Sequence, residues 1–437
     1  MDEIDNCKIL CKNTNQLPRD SASDVKGEEV ETTAALVIAD DFPDGGLQAW
    51  IVLCGTVSGF FATLGYVNSW GVFQAYYQQK LLRHSTPSEI AWIGSIQHAM
   101  IFLPAVVVGR LFDIGYFRIP YAAGGLLIVL TTFLVPQCKV YWHYLLCQGF
   151  GSGIGSGLMF CTMVTVTTHW FKKRRGFALG VASGGAALGA TVFPIIIRQL
   201  ITRIGFPWAL RTVGFILIFF LGISNLCVRR RLPPVKARGG LLGLHAFRNI
   251  PFSVLGIGAF LTLMGLFTML TYISASAIAF GISPNFAFYL VAITNFSSGV
   301  GRVTSGILGD RFGLINANTV MTTLAGVATI VWPHCRTIPS ITVIASIYGF
   351  TSGAWLALIG PMIGQLGNID DIGRRMGTVH TIVGVSTICG PPISGLFADS
   401  KLGYMAVGYF AGDMIIAGTA IKFIARLIAA PSFFRKF

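Results

Sequence analysis

The chain is 437 residues long, 53% hydrophobic and 11% charged, with a mean hydropathy of +0.68, whereas a soluble domain carries roughly 25% charge. This excludes a soluble globular protein and indicates an all-α protein of the lipid bilayer, because backbone in lipid must satisfy its own hydrogen bonds. The formal charge of +14 does not point to nucleic acid: 11 of the 18 acidic residues precede Gly45 and the bases flank apolar runs, where they act as topology signals and headgroup contacts.

Residues 1–46 are polar, acidic and aperiodic, the composition of a disordered cytosolic tail. No cleavable signal peptide is expected, because the first apolar run begins near Leu47; the first spanning helix then serves as its own insertion signal. At about 20 apolar residues per span, twelve transmembrane helices fit after Leu47. Span 1 starts behind Asp44-Gly45-Gly46 and runs to about Phe73. Span 2 opens on Thr86-Pro87-Ser88-Glu89, a capping box in which Glu89 satisfies backbone donors instead of carrying a proton. Span 3 lies between Pro120 and Pro136, span 4 covers Tyr141 to Thr168, span 5 Gly176 to Leu200 and span 6 Pro207 to Val228. Gly149, Gly151, Gly153, Gly155 and Gly157 in span 4, with Gly180, Gly184, Gly185 and Gly189 in span 5, are costly in an exposed helix but permit close backbone approach in a bundle.

The segment 229–250 holds six bases, no acid and Pro233-Pro234, and reads as a cytosolic linker. It divides a first six-helix bundle, 47–228, from a second, 251–428, and residues 429–437 form the cytosolic C-terminus. The second set of spans is expected at about 251–280, 284–308, 315–334, 337–363, 376–397 and 404–425. With the tail inside, inner segments hold 22 Lys and Arg and outer loops hold seven, which places both termini in the cytosol. The nine cysteines are scattered without disulfide or metal spacing, and Cys7 and Cys11 read as unpaired cytosolic thiols. The sequon Asn295-Phe-Ser297 falls inside a span and is expected to be unglycosylated.

One stretch organises the chain: Gly306-Ile-Leu-Gly-Asp310-Arg311-Phe-Gly313, a charged turn between two apolar runs. An imperfect copy, Gly109-Arg-Leu-Phe-Asp113-Ile-Gly-Tyr-Phe-Arg118, lies 197 residues upstream. Equivalent motifs in the two halves indicate a duplicated membrane unit of the kind on which alternating-access transporters are built. A carboxylate in such a turn is also well placed to meet a helix N-terminus.

These turns resemble the signature loop of the major facilitator superfamily, the second copy through Gly306, Leu308, Gly309, Asp310, Arg311 and Gly313. The first copy departs, with Gly115 one place early and no base directly after Asp113. The resemblance implies two pseudo-symmetric six-helix bundles and a cytosolic gate, with Asp113, Arg118, Asp310 and Arg311 as gate residues. Pro43-Asp44-Gly45-Gly46-Leu-Gln-Ala-Trp50, His169-Trp-Phe-Lys-Lys-Arg-Arg-Gly176 through Gly180, Gly390-Pro391-Pro392-Ile-Ser-Gly395 and Ser88-Glu89-Ile-Ala-Trp92 are similar to the monocarboxylate porter branch, in particular its fungal members. Animal members couple lactate to a proton through a Lys in span 1 and an Asp/Arg pair four residues apart in span 8. Here Asn68 stands at the Lys position and Ser298 at the Asp position, and Arg302 alone is retained. The Arg of drug/proton antiporters, three residues before the Gln-Gly of span 4, is replaced by Leu145 ahead of Gln148-Gly149.

Arg302 is therefore the leading binding candidate. An intramembrane cation is costly unless it faces a cavity or partner, although six residues from the span's inner end, about 9 Å, it can also snorkel to the interface. Asn68, His98, Asn295 and Trp355 join it as candidate substrate contacts, and Gln97 and His380 as further cavity-lining candidates; each alone also fits an interhelical hydrogen bond or packing role. Asp413, in span 12, reads as an interhelical hydrogen-bond partner or a titratable coupling site. A membrane enzyme is disfavoured, since the seven His are dispersed and neither Gly-x-Ser-x-Gly nor a metal-ligand cluster is present.

The reading is a secondary transporter of a small organic molecule, a carboxylate or other organic anion, working by alternating access. It needs no cofactor, resides in the plasma membrane as a monomer, and is driven by a proton, ion or substrate gradient. Efflux of a secondary metabolite and a non-transporting receptor are the alternatives. Installing Asn68→Lys together with Ser298→Asp is expected to change the pH dependence of transport in vesicles; an unchanged profile would remove the missing relay from the argument.

Overall fold

The computed structural model describes residues 44–233, 240, 244–366, 371–398 and 400–429. The expected acidic tail before Asp44, most of the linker beyond Pro233 and the C-terminus from 430 lie outside the described residues, as do Cys7 and Cys11. Every regular element among the described residues is helical. The first rod comprises α1 (Leu47–Phe60), a π turn over Phe61–Gly65 and α2 (Trp70–Tyr76). It continues to Leu81 and so exceeds the expected end at Phe73. The second rod is α3 (Pro87–Phe102) and α4 (Ala105–Asp113), with Pro104 at the joint. The capping box at its start is formed: Glu89 N–H donates to Thr86 Oγ1 at 3.2 Å, and Thr86 N–H to Glu89 Oε2 at 2.9 Å.

Next come α5 (Arg118–Leu134), a short α6 (Tyr141–Tyr144), a π segment over Leu145–Gly151 and α7 (Ser152–Trp170). Spans 5 and 6 follow as one 53-residue run, α8 (Arg175–Cys227), in which two helices meet at Gly205 (φ 78°, ψ 163°). That left-handed backbone is the reason a glycine stands there. The second half consists of α9 (Ile250–Ala279), α10 (Pro284–Phe312), α11 (Leu314–Val331), α12 (Ile338–Gln365), α13 (Ile372–Ala398) and α14 (Tyr404–Ala429).

Nine helices among the described residues are long and apolar enough to cross a membrane. That number takes α8 once. It leaves out α10 and α14, which have 29 and 26 residues but carry Arg302, Asp310 and Arg311, and Asp413, Lys422 and Arg426, respectively. Large apolar side chains such as Leu126, Phe219, Leu226 and Phe296 point outward, as a lipid-facing surface requires.

The halves meet where α8 packs on α10 and α12, and where α13 packs on α3 and α4. Within the second half α10 and α12 approach at backbone distance. A Cβ on Gly301 would lie 1.9 Å from Phe350 O, and one on Gly349 2.2 Å from Thr294 O. With no hydrophobic drive between helices in lipid, such close contact supplies the dispersion that holds them.

The structure corrects three sequence expectations. Gly306–Phe312 is not a turn but the last part of α10, ended by Gly313 at φ 101°; Gly109–Asp113 likewise closes α4 ahead of Gly115 at φ 99°. The left-handed glycine, not the Gly-x-x-x-Asp itself, makes the turn. Lys422 and Arg426, counted among the cytosolic bases, are fully buried. Lys422 Nζ donates to Asn318 Oδ1 and Arg426 Nε to Asn316 Oδ1, each at 2.9 Å. Asp413 is exposed on α14 and bonds no neighbouring helix among the described residues.

Gly301→Ala is expected to destabilise the detergent-solubilised protein by about 1–3 kcal/mol, as overpacking does. Gly222→Ala, where a Cβ meets nothing within 4 Å, serves as the unstrained control and is expected to stabilise slightly through helix propensity; equal losses for the two would count against the close-packing account.

Candidate functional site

At one end of the molecule two carboxylates each hold the first turn of a helix from the opposite half. Asp310, near the end of α10, accepts from the backbone N–H of Gly176 and of Phe177, both at 2.8 Å, at the start of α8. Asp113, at the end of α4, accepts from Gly373 N–H at 3.0 Å and Arg374 N–H at 2.8 Å, at the start of α13. A helix N-terminus has N–H groups without intrahelical partners and a partial positive charge, so a carboxylate answers both needs. Hydrogen bonds to a charged group contribute about 1.5–3 kcal/mol each.

Glycines bring the chains close enough for these bonds. A Cβ on Gly306 would lie 2.4 Å from Gly176 O, on Gly180 2.4 Å from Arg302 O, on Gly109 2.0 Å from Gly373 O, and on Gly377 2.3 Å from Ala105 O. One spacing of 197 residues separates Gly109 from Gly306, Asp113 from Asp310, Gly176 from Gly373 and Gly180 from Gly377. The two latches are thus the same device written twice, each half supplying one carboxylate and one helix start.

Three further groups brace this end. Asp44, at φ 44°, accepts through Oδ1 from the N–H groups of Lys172 and Lys173 at 2.7 Å and of Arg174 at 3.3 Å, just ahead of α8. Arg230, beyond α8, donates to the carbonyls of Phe112 and Asp113 and lies 5.0 Å from the Phe112 ring. Partial burial lowers its pKa, and the Asp113 charge opposes that shift. Asp371 holds Arg375 Nε at 2.7 Å beside the second latch. Of the expected bases, Arg118 is exposed at the first residue of α5, and Arg311 is exposed with its guanidinium 5.4 Å from the Phe312 ring.

Between the halves lies a cavity enclosing about 1080 Å³ of non-atom space, open solvent included. All five expected substrate contacts, Asn68, His98, Asn295, Arg302 and Trp355, line it, as does His380. Gln97 does not; its Nε2 donates to Ser152 Oγ at 2.7 Å, an α3–α7 bond. Arg302 is 7% exposed, which answers the snorkelling alternative: the side chain stays inside and its Nη1 donates to Ser183 O on α8 at 2.7 Å. Its Nε and the Trp355 Nε1 are buried without a partner among the described residues.

Asn68 sits at the break between the Phe61–Gly65 π turn and α2, its Nδ2 donating to Leu64 O at 2.6 Å. His98 Nδ1 bonds Gly94 O at 2.9 Å and His380 Nδ1 bonds Met376 O at 2.7 Å. Phe60, Phe102, Phe160 and Phe267 belong to its apolar wall, and among the described residues no carboxylate lines the cavity. Sequence reasoning missed the Gly373/Gly377 partner of Gly176/Gly180, although the 197-residue spacing carried it, and it missed Arg230, which bears no motif.

Residues 55–359 match the family described as Major Facilitator Superfamily. The chain belongs to the major facilitator superfamily. Among similar facilitators, "MFS-type transporter 1" of Ophiocordyceps sp. is 35% identical over 399 residues, 90% of this chain and 89% of that protein. The "Aspyridones efflux protein apdF" of Emericella nidulans is 33% identical over 393 residues, covering 90% and 80%. The "Fujikurins efflux protein" of Gibberella fujikuroi is 33% identical over 425 residues, covering 96% and 91%. The fold is also that of the human organic anion transporter MFSD10 (TM-score 0.69, 15% identity, 86% of this chain and 98% of that one). The E. coli fucose:proton symporter shares it as well (TM-score 0.67, 13% identity, 86% and 99%). This facilitator is accordingly a multi-pass membrane protein.

Replacing Asp310 or Asp113 with Ala is expected to cut transport turnover far more than surface expression. Equal loss of both quantities would assign these carboxylates to folding alone.

Proposed function

We propose that this chain is a secondary active exporter of an organic anion of secondary-metabolite type, working by alternating access in the fungal monocarboxylate-porter manner. The observation that carries the anion is Arg302: a buried guanidinium, lining a cavity between the halves, with Nε unpartnered and no carboxylate in the wall among the described residues. A delocalised oxyanion is the partner whose geometry suits it. Export is favoured by the printed names of the aspyridone and fujikurin efflux proteins, which match this chain nearly end to end.

In this reading twelve spans form two six-helix bundles, 47–228 and 251–428, that rock about the cavity. Both termini and the latched end face the cytosol, the membrane is the plasma membrane, and the structure corresponds to the cytosol-closed state. Asp113 and Asp310 are the gate carboxylates, with Arg118 and Arg311 at the rim. Each turnover must break both latches, and an ion or substrate gradient supplies the drive.

The test is an untargeted small-molecule comparison of cells and medium from strains with and without the protein. A compound retained inside cells lacking it is the expected outcome and identifies the cargo. A compound left in the medium would reverse the direction, and no change in either compartment across growth conditions would favour a receptor.

A further inference from the structure

The polar atoms left over inside the cavity are sorted by type. On the second half, Arg302 Nε and Trp355 Nε1 are donors, both buried and without a partner among the described residues. Two histidines of the wall are arranged the opposite way. A carbonyl oxygen only accepts, so the contacts from His98 Nδ1 to Gly94 O and from His380 Nδ1 to Met376 O place the hydrogen on Nδ1 in each ring. Nε2 is then the polar atom each ring offers the cavity, and neither Nε2 is among the buried unpartnered atoms.

With Arg302 in the wall and no carboxylate there among the described residues, nothing offsets an imidazolium, so Nε2 is an acceptor. Asn68 adds a third acceptor: one N–H of its Nδ2 goes to Leu64 O at 2.6 Å, and its Oδ1 makes no bond among the described residues. His98 is on α3 of the first half and His380 on α13 of the second, two helices that pack against one another across the halves, and Asn68 stands in the first rod just ahead of α2.

We infer that the cargo is an apolar, ring-sized organic anion that also carries at least one hydroxyl or N–H group. Its oxyanion takes the donors of Arg302 and Trp355, and its hydroxyl or N–H donates to one of the acceptors that His98, His380 and Asn68 bring to the same cavity. The inference rests on the anion-transport reading above and narrows it. A plain carboxylate without a donor leaves the acceptors unanswered, and a neutral alcohol leaves the guanidinium unanswered; either forfeits affinity, since an unpaired buried polar group bears its desolvation cost.

The test uses full-length protein in nanodiscs and two probes of one shape, 6-hydroxy-2-naphthoate and 6-methoxy-2-naphthoate, titrated calorimetrically. The hydroxy acid is expected to bind about tenfold tighter, the value of one good hydrogen bond. His98→Phe and His380→Phe should shrink that ratio, whereas Arg302→Gln should weaken both probes and leave the ratio intact. Equal affinities in the wild type overturn the inference; if Arg302→Gln still weakens both, the anion reading stands without it. Binding that ignores Arg302→Gln, or no binding of either probe, counts against both readings. The wild-type comparison needs no variant, so it decides even where a histidine variant fails to fold.

Discussion

A carboxylate at the N-terminus of a helix from the other half is the interaction on which this structure turns. It occurs at Asp310 with Gly176 and Phe177, and at Asp113 with Gly373 and Arg374. Its partners are backbone atoms, present whatever side chain occupies the position. The demand therefore falls on what must be absent: Gly306, Gly180, Gly109 and Gly377 carry no Cβ because a carbonyl oxygen of the neighbouring helix occupies that space. In lipid, where no hydrophobic gradient drives helices together, a contact of this sort can be made and broken without exposing apolar surface to water. Backbone contact plus a single ionic cap makes a firm but separable interface.

The cavity follows from the same arrangement. α8 and α10 are drawn together at Gly180 and Gly306, and α4 and α13 at Gly109 and Gly377, so the halves converge at that end and leave space between them further along. Arg302 stands on α10 one turn from the Gly306 crossing. Its guanidinium thus links the closed end with the cavity: one nitrogen bonds the α8 backbone at Ser183, while another has no partner among the described residues. Asn68 reaches the cavity because the first rod is interrupted after a π turn, a local irregularity of the kind that often marks functional positions in helices.

Much of this was legible in the residues. Apolar runs and bases located the helices, with the first rod running eight residues past its expected end, and the duplicated Gly-x-x-x-Asp identified the carboxylates at the latched end. The capping box at Thr86 was readable because its chemistry is local. Long-range pairing was not. Nothing near Asp113 points to Gly373, 260 residues away, because the acceptor's partner is an amide that every residue but proline possesses; only the common spacing of 197 carries the information. Lys422 and Arg426 misled for a related reason. Near a helix end a base reads as an interfacial charge, whereas the burial of these two depends on Asn318 and Asn316, which accept from them on α11, about a hundred residues away in sequence. The exposed Asp413 and the distant Arg230 have no periodic or motif signature at all.

The bond from Arg302 to Ser183 O has a further consequence. It is a strand of the contact between the halves, yet its donor belongs to the cavity wall. The guanidinium is one rigid plane, so a shift that brings its Nε further into the cavity also moves the Nη1 that holds a carbonyl of the opposite half. The cavity wall and the cohesion of the interface therefore meet in a single side chain.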